Sequence, residues 1–458
     1  MNYKLLCLPV VGVFSASSVV GAQDYRYTVF ELPSLVQNDQ FAAAGPVTLD
    51  GDAVGHSGVG YPYSHAVIWA HDGGVIDLGT LGGDNSGAGA INSLGEIVGA
   101  SSWLPGQSPF VGHACLWRNG EVIDLGTLGG ESSSAFAIND STQIVGNSEF
   151  ELQSYRIIGY IWENGIMTAL DDPWPSANLT EAWDINSSGH VVGEGASLDG
   201  QYNAMLWIDK QPIDLGSLSG EGSTARATND TDRIVGRSRS SNGNSHAVVW
   251  VDRQIMDIHD QRFGDYSWPE DINNVDQILG SIGDELATRE MFVMQLGQPL
   301  ELLKDLIPPN LRLNWRIDKG KINDVGMIGC YALEEGNFSD TWALLLTPVN
   351  PTMTLEGPQP GRAGTTNGLR VTGVAPGARV TFLYSRHGGG TRIPGCDLQQ
   401  NALQLDRPTI IGTTVANENG VATITRTVPL IARGQTILFQ AVVQNECAIS
   451  QLVVHTFD

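Results

Sequence analysis

A seven-residue stretch, Asp-Leu-Gly-Thr-Leu-Gly-Gly, occurs twice without change, from Asp77 to Gly83 and from Asp124 to Gly130, and returns as Asp-Leu-Gly-Ser-Leu-Ser-Gly from Asp214 to Gly220. Each copy stands after an apolar run closed by Trp69, Trp117 or Trp207. Each precedes a small-residue segment: Ala88-Gly89-Ala90, Ala135-Phe136-Ala137 and Ala225-Arg226-Ala227. A unit that repeats must bury its apolar face against its neighbours, so this pattern constrains the fold more than any local propensity. The markers Asn92, Asn139, Asn186, Asn229, Asn273 and Asn323 are spaced 47, 47, 43, 44 and 50 residues apart. Each unit reads as a small-residue strand, a tight turn, a strand ending in Val-Gly or its variant, a longer loop, an apolar strand and a closing strand. Four short strands in about 45 residues is the period of a β-propeller blade, and no 3.6-residue helical period competes with it. The turn-and-strand elements from Asp50–Gly55 to Asn323–Gly329 number seven. The expected fold is therefore all-β, with a seven-bladed β-propeller.

The closure of such a ring is also legible. The last set ends at Leu344–Pro348 without a fourth strand, and the first strand-like run, Tyr25 to Leu32, is of the missing type. The N-terminus is expected to complete the last blade, which leaves no long open edge. Small residues belong on the strand nearest the axis, so the Ala-rich segment is innermost and the Asp-Leu-Gly strand outermost. Trp69, Trp117, Trp162, Trp207 and Trp250 then fill the gaps between blades. His65, His113 and His246 are expected to hydrogen-bond from blade to blade, and Asp77, Asp124, Asp214 and Asp257 to fix the outer strand.

The combination of His-Ala-x-x-Trp, Asp-Leu-Gly-Thr-Leu-Gly-Gly, Ala-x-Ala-Ile-Asn and Ile-Val-Gly resembles the HAF repeat family of bacterial extracellular repeat proteins, over about Tyr25 to Pro348. The resemblance implies export and a propeller-like repeat domain. It implies no agreed activity, cofactor or catalytic residue.

Residues 1–22 have the order of a secretory signal: Lys4, an apolar run from Leu5 to Phe14, and Val20-Gly21-Ala22 as a cleavage site. The repeat region spans 23–349. From 350 to 458 the punctuation changes, and runs such as Arg379–Tyr384 and Thr436–Ala441 suggest a small immunoglobulin-like β-sandwich. An exported chain permits disulfides, and Cys396 and Cys447, both in this last part, are natural partners. Cys115 and Cys330 are expected as separate core thiols. No run is long enough for a membrane helix. The whole chain carries a formal net charge of −25. Residues 353–458 hold 8 Arg against 6 acids, so the acidity belongs to the repeat region. Such a field opposes phosphate backbones and argues against nucleic acid as a partner.

No nucleophile elbow, zinc-protease helix, phosphate loop or dinucleotide fingerprint occurs, so no catalysis, cofactor or metal is expected. The loops after each second strand vary and carry Tyr61, Tyr63, Trp103, Phe110, Tyr155 and Tyr202. The crossing loops add Trp174, Tyr266 and Trp268. Aromatic residues on loops held by a rigid scaffold are a binding signature. The expectation is a secreted, noncatalytic protein presenting this loop face to carbohydrate or extracellular protein, with Trp103 and Trp174 as anchors. A polysaccharide hydrolase or lyase using Asp84, Glu131, Asp172 and Asp265 is the alternative, and a structural matrix component the second.

Overall fold

The computed structural model describes residues 27–36, 41–71, 73–106, 111–151, 156–172, 179–196, 200–284, 289–307, 315–334, 337–348, 353–374, 377–386, 388–391, 403–405, 407–417, 419–443, 448–450 and 453–457. The expected signal, Cys396, Cys447, Phe110, Tyr155 and Trp174 lie outside the described residues.

Seven four-stranded antiparallel sheets lie between Tyr27 and Pro348 among the described residues. Within the second, for example, the order from axis to rim is Ser86–Ile91, Ile97–Ser101, His113–Arg118 and Glu121–Gly126. The innermost strand of each sheet packs on the second strand of the sheet before it, and Ala42–Val47 of the first packs on Ile328–Glu334 of the seventh. The series therefore closes on itself as a propeller. The seventh sheet takes Tyr27–Glu31 as its outer strand, with Tyr27 opposite Pro348 and Glu31 opposite Leu344. The orphan strand sits where the repeat pattern placed it.

The tryptophans of the repeat fill the space between sheets. Trp69, Trp207 and Trp250 are at most 1% exposed. Their indole N–H groups donate to the carbonyls of Pro33, Asp171 and Leu215 at 2.7, 2.8 and 2.9 Å, so burial leaves no polar atom unpaired there. The repeat histidines act differently from the expectation. His65 Nδ1 meets Asp77, His113 Nδ1 meets Asp124 and His246 Nδ1 meets Asp257, each at 2.8–2.9 Å. Both members of each pair belong to one sheet, so the histidine clasps the third strand to the outermost one. Asn203 does the same with Asp214 at 3.0 Å. The blade-to-blade role is corrected to a clasp within the blade.

The link between sheets is made by the Asn of each turn. Its Oδ1 accepts the backbone N–H two and four residues on, as at Asn186 from Ser188 and His190. Its Nδ2 donates to the same carbonyl in the next sheet. Asn92 reaches Asn139, Asn139 reaches Asn186, Asn186 reaches Asn229, Asn229 reaches Asn273, Asn273 reaches Asn323, and Asn323 reaches Thr48, at 2.8–3.1 Å. The left-handed residue of these turns is the fourth, as Gly95, Thr142, Gly189, Asp232, Asp276 and Gly326 show. The Asn is present for its amide, not for its backbone.

Beyond Pro348, Thr354–Gln359, Thr366–Thr372 and Ala422–Thr427 form one sheet. Thr409–Val415, Arg379–Ser385, Thr436–Val443 and Ala448–Ile449 form another, and Val453–Thr456 also pairs with Thr436–Val443. Leu355, Leu369, Val371 and Ile424 of the first meet Val380, Phe382, Phe439 and Ala441 of the second in one apolar cluster. Cys115 and Cys330 are buried and free, and burial pushes both thiols up. No helix among the described residues is long and apolar enough to cross a membrane.

Candidate functional site at the axial groove

A groove of about 610 Å³ opens where the innermost strands of the second, third and fourth sheets begin. Much of its wall is serine, which invites a search for a nucleophile. Several of the hydroxyls are already engaged in holding the chain as it crosses between sheets. Ser86 Oγ donates to the Gly79 carbonyl and accepts from Ala66 N–H, both at 2.8 Å. Ser133 repeats this with Gly126 and Ala114, at 2.6 and 2.8 Å. Ser101 and Ser148 accept from Leu81 and Leu128 at 2.9 Å. These serines are framework.

The variable chemistry comes from a bulge. In the innermost strands of sheets two to six, pairing skips one residue at the same repeat position, leaving Gly89, Phe136, Trp183, Arg226 and Glu270 unpaired. In the seventh sheet the skipped residue is Asp318. Bulges of this kind re-aim a side chain. The glycine of Ile-Val-Gly follows from them: a Cβ on Gly99, Gly146, Gly193 or Gly236 would overlap the carbonyl oxygen of Gly87, Ser134, Glu181 or Thr224. Consecutive bulge residues meet across sheets. The Phe136 and Trp183 rings are 5.0 Å apart, and the Arg226 guanidinium lies 4.8 Å from the centre of the Trp183 ring. The indole Nε1 of Trp183 is buried without a hydrogen-bond partner.

Acids surround this stack. Glu181 and Glu194 face each other in register on neighbouring strands. Burial first, then the hydrogen bond and charge of Glu194, raise Glu181 to about 7, with Arg226 pulling the other way. Glu194 is 8% exposed and accepts the Thr224 hydroxyl at 2.7 Å. Burial raises Asp184 to about 6, and its oxygens accept the N–H groups of Thr228 and Ile185 at 2.9 Å. Lys321 donates to Asp271 at 3.1 Å. On the seventh sheet burial works against the charge of Asp318, but Tyr331, Arg289 and Arg316 outweigh it and hold the carboxyl low. On the first sheet, burial pushes His56 down, and its ring lies 5.3 Å from Phe41.

Of the aromatic residues expected on the loops, the described ones do not line this groove. Tyr61 is 98% exposed, and Tyr63 and Tyr202 open third strands. Trp103 is turned toward His113 at 5.6 Å. Tyr266 and Trp268 are not in a crossing loop: both lie in the innermost strand Tyr266–Ile272 and stack on each other at 5.9 Å. Of the acids proposed for catalysis, Asp84 accepts the Gly106 N–H at 2.6 Å and Asp172 faces Arg156 at 3.8 Å. Phe136 and Trp183 do line the groove, with Arg226 packed on Trp183; Phe136 and Arg226 were legible as the x of Ala-x-Ala, and Trp183 holds the same position in Ala182-Trp183-Asp184. Attention to the constant alanines passed over it.

No family model matches the chain, and no curated protein matches it. The resemblance to HAF repeats rests on the motifs alone. Among solved structures it is similar to the β-propeller domain of the trilobed protease from Pyrococcus furiosus, at 11% identity and a TM-score of 0.44, covering 66% of this chain and 95% of that one. It is similar to TolB from Acinetobacter baumannii at 10% identity and a TM-score of 0.35, covering 71% and 80%. It is similar to the acylaminoacyl peptidase of Pyrococcus horikoshii at 10% identity and a TM-score of 0.40, covering 74% of this chain and 58% of that one. These likenesses concern the fold. The expected loop-face platform for carbohydrate or protein is corrected, together with its polysaccharide-enzyme and matrix alternatives. Tyr266 and Trp268 belong to an innermost strand and Trp103 packs toward His113, so these three do not build the expected loop face.

Proposed function

We propose that this chain is a noncatalytic small-molecule-binding protein whose site is the axial groove. One observation carries the reading. The framework positions of the repeat are nearly constant, while the bulge position runs through Gly89, Phe136, Trp183, Arg226 and Glu270, and two of its bulky side chains, Phe136 and Trp183, line the groove. A volume of 610 Å³ suits a small ligand, and the wall joins aromatic surface to a few polar groups. The engagement of Ser86, Ser101, Ser133 and Ser148 with backbone groups gives these four a structural role. The wider reading is a seven-bladed propeller followed by an immunoglobulin-like sandwich, exported by residues 1–22 and carrying a Cys396–Cys447 bridge. The seven sheets, the shared core of the last two sheets and the order of the first 22 residues support it.

A thermal-shift screen of small polar metabolites on the full chain tests the site. Ligands that stabilise the wild type should lose their effect in Trp183→Leu and keep it in Trp103→Ala. Hits that ignore Trp183 and depend on Trp103 would return the site to the loops and end this reading.

A further inference from the structure

We propose that the two sheets beyond Pro348 carry a membrane-docking tip, suited to a lipid surface with anionic headgroups. Leu430–Ala432 forms a single 3-10 turn between the strands Ala422–Thr427 and Thr436–Val443, where the chain passes from one sheet to the other. Ala432 is buried and anchors the turn, while Leu430 is 73% and Ile431 78% exposed. No other large aliphatic residue among the described ones is as exposed. The turn is held in place from beneath. Ala432 N–H donates to the Pro429 carbonyl at 3.0 Å, Arg433 N–H to the Leu430 carbonyl at 3.1 Å and Gly434 N–H to the Phe457 carbonyl at 2.8 Å. A neighbouring turn is tied to it by Gly364 N–H on the Val428 carbonyl at 2.8 Å and Val428 N–H on the Thr365 carbonyl at 3.0 Å. Leu430 lies over that turn, since a Cβ on Gly364 would come within 2.7 Å of its Cδ2. The fold thus fixes where these two side chains stand and buries neither.

The charge around the tip selects its partner. Segments 361–366 and 426–436 contain Arg362, Arg426 and Arg433 and no acid. Arg426 is engaged by the carbonyls of Ile411 and Thr425 at 3.2 and 2.9 Å. Arg362 and Arg433 are exposed, and their side chains make no hydrogen bond or ion pair among the described residues. Aliphatic side chains beside unpaired arginines fit the boundary of a bilayer, where the first enter the apolar layer and the second stay with anionic headgroups. A stable protein partner would need about 800 Å² of matching surface on each side. The other exposed residues of the tip are small or polar, as Thr365, Thr366, Gly434 and Thr436 are, and offer no such apolar face. The acidity of the chain belongs to the repeat region, and at about 0.15 M salt charges more than about 8 Å away are largely screened. The tip and the axial groove share no residue, so either reading can fail alone.

Co-sedimentation of the full chain with vesicles tests the tip, using phosphatidylcholine alone or mixed in equal parts with phosphatidylglycerol, at about 0.15 M salt. Binding to the phosphatidylglycerol vesicles should be at least about tenfold stronger than to the neutral ones. Leu430→Ser combined with Ile431→Ser should lower it at least about tenfold. Arg362→Gln combined with Arg433→Gln should lower it by a similar factor and weaken its dependence on salt. These side chains support no core, so all variants should melt with the wild type. No binding to either vesicle overturns the proposal, as does binding that the double serine variant retains. So does sedimentation velocity that finds the wild type dimeric without lipid and the double serine variant monomeric, because the tip would then join two copies of the chain.

Discussion

At the scale of single residues, the groove keeps a proton that an ordinary carboxyl would release. Glu181 ionises near 4.5 when unfolded and at about 7 when folded, chiefly because the folded chain buries it beside Glu194. The folded state thus binds more protons than the unfolded state across that window, and stability falls as pH rises through it. The contribution is fully present below about 4.5 and lost as pH passes about 7. Asp184 acts in the same sense, with its folded value at about 6. Glu181→Gln removes one of the two. Its melting temperature should gain on that of the wild type as pH is raised from about 4.5 to above about 7, and a constant difference across that window would count against the assignment. Nothing in the sequence announces this pair. Glu181 and Glu194 are thirteen positions apart, and only the register of two strands brings them face to face.

At the scale of elements, the sequence is most readable where the repeat is constant. Strand order, the buried tryptophans and the position of the first strand follow from patterns a reader can align. The Asn turn was legible as a turn, but its reach into the next sheet was not, because local geometry alone satisfies the Asn carbonyl oxygen. Asn186 is 4% exposed and ties Ser188 and His190 within its turn to Asn229 and Asp232 in the next sheet. Asn186→Ala strands several buried groups at once and should cost about 2–3 kcal/mol in chemical denaturation. Asn186→Asp keeps the acceptor of the turn and loses the donor, so it should recover only part of that cost. Equal losses in the two variants would mean that the link between sheets contributes nothing. The bulges were illegible for the opposite reason. A bulge shows in the register of two strands, and the residue it frees is the one the repeat does not conserve, so a search for constancy discards it.

At the scale of the whole molecule, the ring is held where the first strand meets the last strand of the repeat region. Tyr27–Glu31 covers the edge of Asn337–Pro348. Removing residues 27–31 should lower the melting temperature and promote concentration-dependent association through the bared edge, read by light scattering. An unchanged melting curve would show that the seventh sheet does not need its fourth strand. The Asn links tell a further story, because they run from Asn92 around to Thr48 and stop. Thr48 Oγ1 accepts from Asp52 N–H, and no side chain reaches from Thr48 to Asn92 among the described residues. On that face the molecule is a split washer whose slit lies between the first and second sheets, away from the strand that closes the seventh. A washer springs open at its slit, so pulling or heating should part these two sheets first. Thr48→Asn would supply the missing link and should add about 0.5–1.5 kcal/mol to stability. Without that gain in the melting curve, the slit would be no weaker than the rest of the hoop.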